Sequence, residues 1–374
     1  MTGPAASVAV LMGGPSAEHD VSLVSGRAIA AALAERGHPV EGWLIDLAGR
    51  WWRLPQAALD RSLPGTTFDE PSGLGAGGPL PAGEALEALA AAEPRPVAFI
   101  ALHGPFGEDG TVQALCEAAG LVYTGCGVAA SALGMDKVLF KRLAGALGMP
   151  TVPWRAVTAA ELEAEPEAVM SRLRAFAEGL PDRRLIVKPN RLGSSIGMTI
   201  VHRASDEGAV RAALAEAHRF DDTALAEAYL SGAREFELSV VGNVPSVAVY
   251  GPGEIFPGHE FYDYQAKYVA GVSRTTDEPE LGEGMRATLR DMARAAYLAI
   301  GGSGFARVDF LVPDGRVYLS EINTIPGFTP ISLFPVLCAE GGYDFGGIAA
   351  HIVELALERA RHRPSPRRQR ADLP

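Results

Sequence analysis

Two stretches of the chain place charged side chains beside glycine in ways that suit phosphate chemistry. The first, IVKPNRLGSSIGM at residues 186–198, puts Lys188 at the end of an apolar run, followed by Gly193, Ser194 and Ser195. Glycine lets a ligand approach the backbone closely, and successive N–H groups can form a nest for an anion. The flanking runs predict a strand, a loop and a strand, which differs from a P-loop. An ordinary Gly-Ser hairpin turn is an equally good interpretation of this stretch alone.

The second stretch, GFARVDFLVPDGRVYLSEIN, is typical of a β-hairpin with Asp314 and Gly315 at its turn. A two-residue loop would place Asp309 and Glu321 on opposite faces of the hairpin. A three-residue loop with Gly315 in the left-handed region would pair position 309 with 319 and position 307 with 321. All odd-numbered residues would then share one face, so we predict the three-residue loop.

With that register, Arg307, Asp309, Glu321 and Asn323 converge. Two carboxylates and an amide oxygen are hard ligands, suited to Mg²⁺ that also binds substrate phosphates. The alternative is a cross-strand salt bridge between Arg307 and Glu321 on the surface. The segment NTIPGF that follows Glu321 favours an ordered active-site loop, because glycine and proline occur where a surface strand would simply end.

A third cluster, GHEFYDYQAKYVAG at residues 258–271, combines three tyrosines with Lys267. It follows neither a strand period nor a helix period, which is typical of a loop. The cluster suggests a lid that closes over reactants and excludes water. The alternative is an aromatic surface loop that packs on its own domain.

Composition limits the classes of function. The 374 residues leave room for two or three domains, and the formal net charge of −12 argues against non-specific binding to nucleic acid or anionic lipid. Cys116, Cys126 and Cys338 have no metal-ligand spacing and indicate a reducing compartment. The N-terminus has no basic leader, and its apolar run is far shorter than the ~20 residues of a membrane span. We therefore expect a cytoplasmic protein without a membrane or nucleic-acid partner.

The order of apolar runs predicts an open α/β domain at the N-terminus. Its first segment is expected to be a buried strand, a Gly-Gly-Pro turn and a helix with an apolar stripe of Val21, Val24, Ala28 and Ala32. A strand at residues 97–102 followed by a helix repeats this βα unit, and ligands are expected beyond the carboxyl ends of such strands.

The Gly- and Pro-rich stretch at residues 63–84 is interpreted as a surface loop and not as a dinucleotide fingerprint. The predicted division is an N-terminal domain at 1–134, a central domain at 135–235, a C-terminal domain at 236–361 and a disordered basic tail at 362–374.

These pieces together resemble the ATP-grasp carboxylate-amine ligases, and among them the D-alanine–D-alanine ligases. The motifs that carry the resemblance span nearly the whole chain and occur in the family's order: GGPSAEHDVSLVSG, LHGPFGEDGTVQ, GVAASALGMDK, KPNRLGSSIGM, REFELSVVGN, FYDYQAKY, ARVDF and EINTIPGFTPISLFP. The resemblance implies an ATP-grasp architecture of three α/β domains, with ATP between the central and C-terminal ones. It also implies phosphorylation of one D-alanine carboxylate by ATP and attack on the acyl phosphate by the amine of a second D-alanine.

The resemblance assigns the nucleotide and metal residues by motif position. Lys137, Lys188 and Lys267 would hold phosphates, with Ser195 in the loop that folds over them. Glu227 and Leu230 would contact adenine, and Glu235 the ribose. Two Mg²⁺ ions, for which Mn²⁺ can substitute, would be bound by Asp309, Glu321 and Asn323.

The resemblance assigns the substrate residues in the same way. Glu18 would pair with the ammonium group of the first D-alanine, with His103 nearby. Arg307 and the N–H of Gly327 would form an oxyanion hole. Ser332 and Leu333 would receive the second D-alanine, and Tyr268 would join Glu18 and Ser194 in a hydrogen-bond network. Without the family pattern, Glu18 is better explained as a helix N-terminal residue and His103 as a strand-end histidine.

Other activities stay open at this point. A ligase that forms D-alanyl-D-serine or D-alanyl-D-lactate would need a reshaped pocket around Tyr268 and Ser332, and Tyr268 favours an amine as second substrate. A non-catalytic nucleotide-binding protein with the same fold is disfavoured because Arg307, Asp309, Glu321 and Asn323 are all present. The family also suggests a homodimer.

Overall fold

The computed structural model describes residues 5–256 and 274–362. Lys267, Tyr268 and the predicted tail beyond residue 362 lie outside these ranges. Within them, the chain forms three β-sheets with helices packed against each. The division into domains at residues 134 and 235 stays a prediction.

The N-terminal part of the chain forms a five-stranded sheet. Its elements are β1 (Val8–Gly13), α1 (His19–Glu35), β2 (Val40–Ile45), β3 (Trp51–Leu54), β4 (Gly77–Leu80), α2 (Ala82–Ala91), β5 (Val97–Ile100) and α3 (Thr111–Ala118). The strand order is β4-β3-β2-β1-β5, in which β1 is parallel to β2 and β5 and the other pairs are antiparallel. This is the open α/β arrangement that the sequence predicts.

A tight turn after β1 sets the position of α1. Every residue of β1 is buried, and its last residue, Gly13, has φ +87°, a conformation that glycine adopts without strain. A Cβ at Gly13 would lie only 2.4 Å from the carbonyl oxygen of Ile45, so no other residue fits. The turn brings Glu18, just before α1, beyond the carboxyl ends of the strands.

A four-stranded antiparallel sheet forms the central part, after two connecting helices. The elements are α4 (Val128–Met135), α5 (Lys137–Ala146), β6 (Trp154–Thr158), α6 (Ala159–Ala164), α7 (Pro166–Glu178), β7 (Leu185–Pro189), β8 (Thr199–Val201), α8 (Glu207–Ala217) and β9 (Thr223–Ala228). The strand order is β6-β9-β7-β8. Strands β7 and β8 are the hairpin predicted around the Gly-Ser loop.

The C-terminal part forms a five-stranded antiparallel sheet. Its elements are β10 (Arg234–Asn243), β11 (Ser246–Phe256), β12 (Arg274–Thr276), α9 (Glu283–Ala299), β13 (Phe305–Val312), β14 (Tyr318–Asn323), α10 (Leu333–Leu337) and α11 (Phe345–His362). The strand order is β12-β11-β10-β13-β14.

Two helices pack across the boundaries between these sheets. Phe140 of α5 lies in the core of the C-terminal sheet with Phe236 and Val308. In the other direction, Ile348 of α11 joins Val8 in the core of the N-terminal sheet. Burial of these apolar groups holds the sheets around a common cleft.

The predicted loop of the β13–β14 hairpin is wrong, although the predicted convergence of side chains is correct. Asp314 and Gly315 have φ of +45° and +77° and form a two-residue turn, closed by a hydrogen bond from the N–H of Arg316 to the carbonyl of Pro313. Next to this turn, position 310 pairs with 319. A β-bulge at Ser320 then inserts one extra residue, so that Asp309 pairs with Glu321. The bulge, and not the loop length, brings the carboxylates to one face.

Two smaller predictions for the N-terminal part are also wrong. The stretch at residues 63–84 is not only a surface loop, because it contains two short 3₁₀ turns, edge strand β4 and the start of α2. In the predicted apolar stripe of α1, Val21, Ala28 and Ala32 are buried, but Val24 is 50% exposed. In the described ranges, none of the helices has the length and apolarity that crossing a bilayer requires.

Candidate active site

Two adjoining cavities lie in the cleft between the sheets. One, of about 370 Å³, lies between the central and C-terminal sheets, and the other, of about 650 Å³, lies between the N-terminal and C-terminal parts. The residues common to both are Lys137, Gly193, Ser194, Glu237, Arg307 and Glu321. Ligands in the two cavities would therefore meet at a junction that carries both cations and carboxylates.

Each sequence-predicted site residue in the described ranges lines one of these cavities. The smaller cavity is lined by Lys188, Ser195, Glu227, Leu230, Glu235 and Asp309. The larger is lined by Glu18, His103, Asn323, Gly327, Ser332 and Leu333. Lys137, Ser194, Arg307 and Glu321 stand at the junction. The individual roles of these residues stay predictions, and Lys267 and Tyr268 lie outside the described residues.

The two strands of the bulged hairpin hold the candidate metal ligands at this junction. Asn323 donates from Nδ2 to Oδ2 of Asp309 over 2.9 Å, which orients the carboxylate. Glu321 stands opposite Asp309 across the strand pair, and its Oε2 lies 3.3 Å from Nζ of Lys137. Three oxygen-bearing side chains are thus gathered on one face of the hairpin.

Arg307 is the main cation at the junction. Its Nε and Nη2 donate to the two oxygens of Asp309, each over 2.7 Å, and Nη2 lies 3.2 Å from Glu237. Burial lowers the pKa of Arg307, but the charges of Asp309, Glu237 and Glu321 outweigh burial and raise it well above the usual value. The guanidinium is therefore a permanent positive charge, held in place by a bidentate contact.

The N-terminus of α5 places Lys137. Asp136 caps the helix by accepting a hydrogen bond from the N–H of Leu139, and the side chain of Asn190 accepts from the N–H of Val138. Nζ of Lys137 donates to the carbonyl of Leu192 over 2.9 Å. The lysine is thereby tied both to the loop after β7 and to Glu321.

The Gly-Ser loop reaches across the cleft to the N-terminal part. Ser194 and Ser195 have φ of +52° and +58°, and the hydroxyl of Ser194 donates to Oε1 of Glu18. A Cβ at Gly193 would approach Oε2 of Glu18 to 2.9 Å, so the glycine allows this contact. The loop closes one wall of the junction.

A buried polar cluster lies on the substrate side, around His103. Nδ1 donates to the carbonyl of Ile325 over 3.0 Å, so the neutral ring accepts at Nε2 from the hydroxyl of Ser25, also over 3.0 Å. Oε1 of Glu108 lies 3.7 Å from Nδ1, too far for a hydrogen bond but close enough for its charge to act on the ring. The cluster links β5 to the loop after β14.

A hydroxyl pair orients Ser332. The N–H of Thr329 donates to Oγ of Ser332 over 3.1 Å, and the two hydroxyl oxygens are 2.8 Å apart. If the Thr329 hydroxyl also donates, Oγ of Ser332 accepts two bonds and its own proton is left for a ligand. A carboxylate is the ligand that this arrangement suits.

Comparisons with known proteins agree with this geometry. The family description "D-ala D-ala ligase N-terminus" matches residues 7–126, and "D-ala D-ala ligase C-terminus" matches residues 143–354. A D-alanine–D-alanine ligase of Chlorobaculum tepidum is 39% identical over 370 residues, which covers 94% of this chain and 97% of that protein. The chain belongs to the D-alanine–D-alanine ligase family.

Solved structures of the D-alanine–D-alanine ligase family share its fold. The D-alanine–D-alanine ligase from Coxiella burnetii has a TM-score of 0.77 at 29% identity, over 96% of each chain. A D-Ala:D-Ser ligase from Enterococcus faecalis has a TM-score of 0.76 at 26% identity, over 94% of this chain and 99% of that one. The predicted α/β ATP-grasp architecture is confirmed by these neighbours.

Four residues of this ligase-family site were missed by sequence reasoning. They are Glu108, Lys141, Glu237 and Thr329. Glu237 is two residues after Glu235 on β10 and therefore shares its face, and Lys141 is one helical turn after Lys137, so strand and helix periods could have indicated both. Glu108 and Thr329 lie in loops, where no period applies.

The pKa of His103 makes the ligase-family site sensitive to pH. Burial lowers this pKa, but the nearby carboxylate of Glu108, the charge of Glu18 and the hydrogen bond to the carbonyl of Ile325 raise it overall. Burial, together with the charge of Glu18, raises the pKa of Glu108 as well. His103 and Glu108 thus retain their protons to higher pH than isolated side chains would.

We expect Glu108→Gln to lower the pKa of His103, because it removes one of the two carboxylates whose negative charge stabilises the protonated ring. The titration of the His103 ring, followed by NMR, and any limb of the pH profile of kcat/KM that reports it should both move to lower pH. Glu87→Gln, at an exposed position of α2, removes one charge from the same part of the chain and should move neither. An unchanged titration in Glu108→Gln would show that Glu108 does not act on His103.

Proposed function

We propose that the protein is an ATP-dependent, ADP-forming ligase that joins two D-alanine molecules to D-alanyl-D-alanine, for peptidoglycan precursor synthesis in the cytoplasm. Membership of the D-alanine–D-alanine ligase family, with a relative that matches 94% of the chain, supports this function. The structural observation that carries the proposal is the pair of adjoining cavities that share Lys137, Arg307 and Glu321. A phosphoryl group passed from one cavity to the other would cross this junction.

The reaction begins with activation of a carboxylate, which is a poor electrophile until one oxygen becomes a good leaving group. In the larger cavity, Glu18 receives the ammonium group of the first D-alanine. The carboxylate of that D-alanine takes the γ-phosphoryl group of ATP to form D-alanyl phosphate. Lys188 and Lys137 hold the phosphates on the other side of the junction. Positioning and fixed charge supply most of the acceleration in such a transfer.

The second half of the reaction is attack by the amine of the second D-alanine. Ser332 and Leu333 receive its carboxylate, and the amine attacks the acyl carbon of D-alanyl phosphate. Charge then develops on the acyl oxygen, where Arg307 and the N–H of Gly327 form the oxyanion hole. Phosphate leaves with the electrons of its bond to carbon and takes up the proton that the attacking nitrogen loses, and the dipeptide remains.

The junction fits Mg²⁺. In the described ranges no three His, Cys, Asp or Glu side chains form a metal cluster. The available donor set is instead two carboxylates and one amide, on Asp309, Glu321 and Asn323, and these hard oxygens suit a Mg²⁺ ion that keeps waters and phosphate oxygens as its other ligands. When bound, Mg²⁺ spreads the negative charge of the transferred phosphoryl group. Lys137 and Arg307 balance the same carboxylates in the structure described here.

The identity of the second substrate depends on the pocket around Ser332. The similar TM-scores of the D-alanine–D-alanine and D-Ala:D-Ser ligases mean that the fold does not distinguish them. The sequence relatives favour D-alanine over D-serine, D-lactate or a non-catalytic role. A homodimer stays a prediction from the family.

The test is ADP release by the purified protein with Mg²⁺-ATP and D-alanine, D-serine, D-lactate or L-alanine, with mass spectrometry of the products. We expect D-alanyl-D-alanine from D-alanine alone, and no ligation of L-alanine. If D-alanyl-D-serine or D-alanyl-D-lactate forms in preference to D-alanyl-D-alanine, the protein is a D-alanine–D-serine or D-alanine–D-lactate ligase instead. Nucleotide binding without turnover of any of these would contradict a ligase function.

A further inference from the structure

A line of three buried charged side chains, Lys188, Glu227 and Lys141, runs from the smaller cavity to a lysine outside it. Nζ of Lys141 lies 2.7 Å from Oε1 of Glu227, and Nζ of Lys188 lies 2.6 Å from Oε2 of the same carboxylate. Glu227 is thus held between two ammonium groups, one on each oxygen. The side chain of Lys141 has 0% exposure and that of Glu227 has 4%.

The three side chains differ in their access to ligand. Lys188 and Glu227 line the smaller cavity, whereas Lys141 lines neither cavity. Lys141 is on α5, one turn after Lys137, and contacts Glu227 at a position that neither cavity reaches. It can act on a nucleotide only through the residues that it contacts.

Lysine is rare in this chain, which makes a buried lysine at position 141 notable. The sequence has only four lysines, Lys137, Lys141, Lys188 and Lys267, and 29 arginines. Three of these lysines were assigned to ATP phosphates by motif position, and Lys141 is the fourth. A compact ammonium fits a single carboxylate oxygen in a closed space better than a planar guanidinium does. A lysine at a fully buried position in an arginine-rich chain therefore indicates a local requirement for a small cation.

The balance of charges explains why a cation is needed at position 141. If Glu227 were paired with Lys188 alone, its negative charge would neutralise the charge of Lys188, because attraction between buried opposite charges is strong. With Lys141 present, the three groups carry one net positive charge, and Lys188 is the cation of the three that reaches the cavity. The pKa of Glu227 is lowered, because Lys141 and Lys188 together outweigh the effect of burial, and the carboxylate stays ionised.

We propose that Lys141 is a positioning residue for the nucleotide: it fixes one oxygen of Glu227 and offsets its charge, so that Lys188 keeps a net positive charge for the phosphates. The proposal rests on the ATP-binding role of Lys188 in the proposed function. Burial and the like charge of Lys188 lower the pKa of Lys141, and the 2.7 Å contact with a carboxylate favours its protonated form. Lys141 touches no substrate and is not a catalytic residue.

The first test is Lys141→Met, read out by equilibrium binding of ATP and of adenosine to the whole protein. We expect ATP affinity to fall by about tenfold or more, because Glu227 then neutralises Lys188, and adenosine affinity to fall less. Arg142→Met, which removes a charge from the next, exposed residue of α5, should change neither. Wild-type ATP affinity in a folded Lys141→Met protein would overturn the proposal.

The double variant Lys141→Met/Glu227→Gln separates charge balance from packing. It restores one net positive charge at Lys188. The ratio of ATP affinity to adenosine affinity, in which any loss of the adenine contact of Glu227 cancels, should therefore return to within about threefold of the wild-type ratio. A role in packing alone predicts no such return, and a ratio no higher than that of Lys141→Met would overturn the proposal. If the single variant does not fold, the ratio of the double variant is compared directly with that of wild type, and a tenfold lower ratio is the contrary result.

These measurements are independent of turnover. A wild-type protein that binds ATP but forms no dipeptide would contradict the proposed ligase, while the order of ATP affinities among the variants would still test Lys141. A wild-type protein that binds no ATP would contradict both.

Discussion

Glu321→Gln is expected to abolish ligase turnover while the fold stays intact. The substitution keeps the shape of the side chain but removes one of the two carboxylates that face each other across the bulged hairpin. Loss of a charged metal ligand removes several kcal/mol of charge stabilisation in phosphoryl transfer, so kcat should fall by about 10³-fold or more. The measurement is steady-state ADP release at saturating ATP and D-alanine, with a Mg²⁺ titration of each variant.

Two control measurements distinguish loss of the metal ligand in Glu321→Gln from loss of the fold or of charge in general. The thermal unfolding curve should stay close to that of wild type, because a part-buried amide still accepts from Lys137. Glu283→Gln, at an exposed position in the first turn of α9, removes the same charge elsewhere in the C-terminal part and should keep full activity. Near-normal turnover of Glu321→Gln with an unchanged Mg²⁺ requirement would remove Glu321 from the metal site.

Arg307→Met is expected to lower kcat by about 10²–10³-fold, the usual cost of losing a group that stabilises an oxyanion. The guanidinium is fixed by Asp309 and Glu237 before any ligand arrives, so its charge needs no rearrangement when the tetrahedral intermediate forms. Because that charge develops only during the reaction, kcat should fall more than KM for D-alanine rises. Initial rates over a range of D-alanine concentrations separate the two parameters.

Arg307 also supports Asp309, and the experiment must separate this role from catalysis. A misplaced Asp309 would raise the Mg²⁺ concentration needed for activity, so rates are compared at saturating Mg²⁺. Arg316→Met, at the exposed turn of the same hairpin, is the matched control and should be active. A variant whose lost activity returns fully at high Mg²⁺ would assign Arg307 to the support of Asp309 alone.

Local sequence was sufficient for most of the elements and for the order of the motifs. Runs of apolar residues predicted β1 and β5, the Gly-Ser hairpin and the β13–β14 hairpin, because each depends on a period or turn within a short segment. The same motifs in sequence named sixteen residues that line the two cavities. Sequence resemblance also predicted the family, since the motifs occur in one order along the chain.

Tertiary structure decided the strand register at the junction of the two cavities. It also decided which buried charged residues support the junction. The β13–β14 turn alone would place Asp309 and Glu321 on opposite faces, and the bulge at Ser320 that corrects this is not set by turn residues. Val24 keeps the helical period of α1, yet it is exposed because the cleft opens beside it. Lys141 and Glu237 contact partners distant in sequence, Glu227 and Arg307, and Glu108 faces His103, whose ring is held by the distant carbonyl of Ile325. Their importance comes from burial and opposing charge, which exist only once the sheets have packed together.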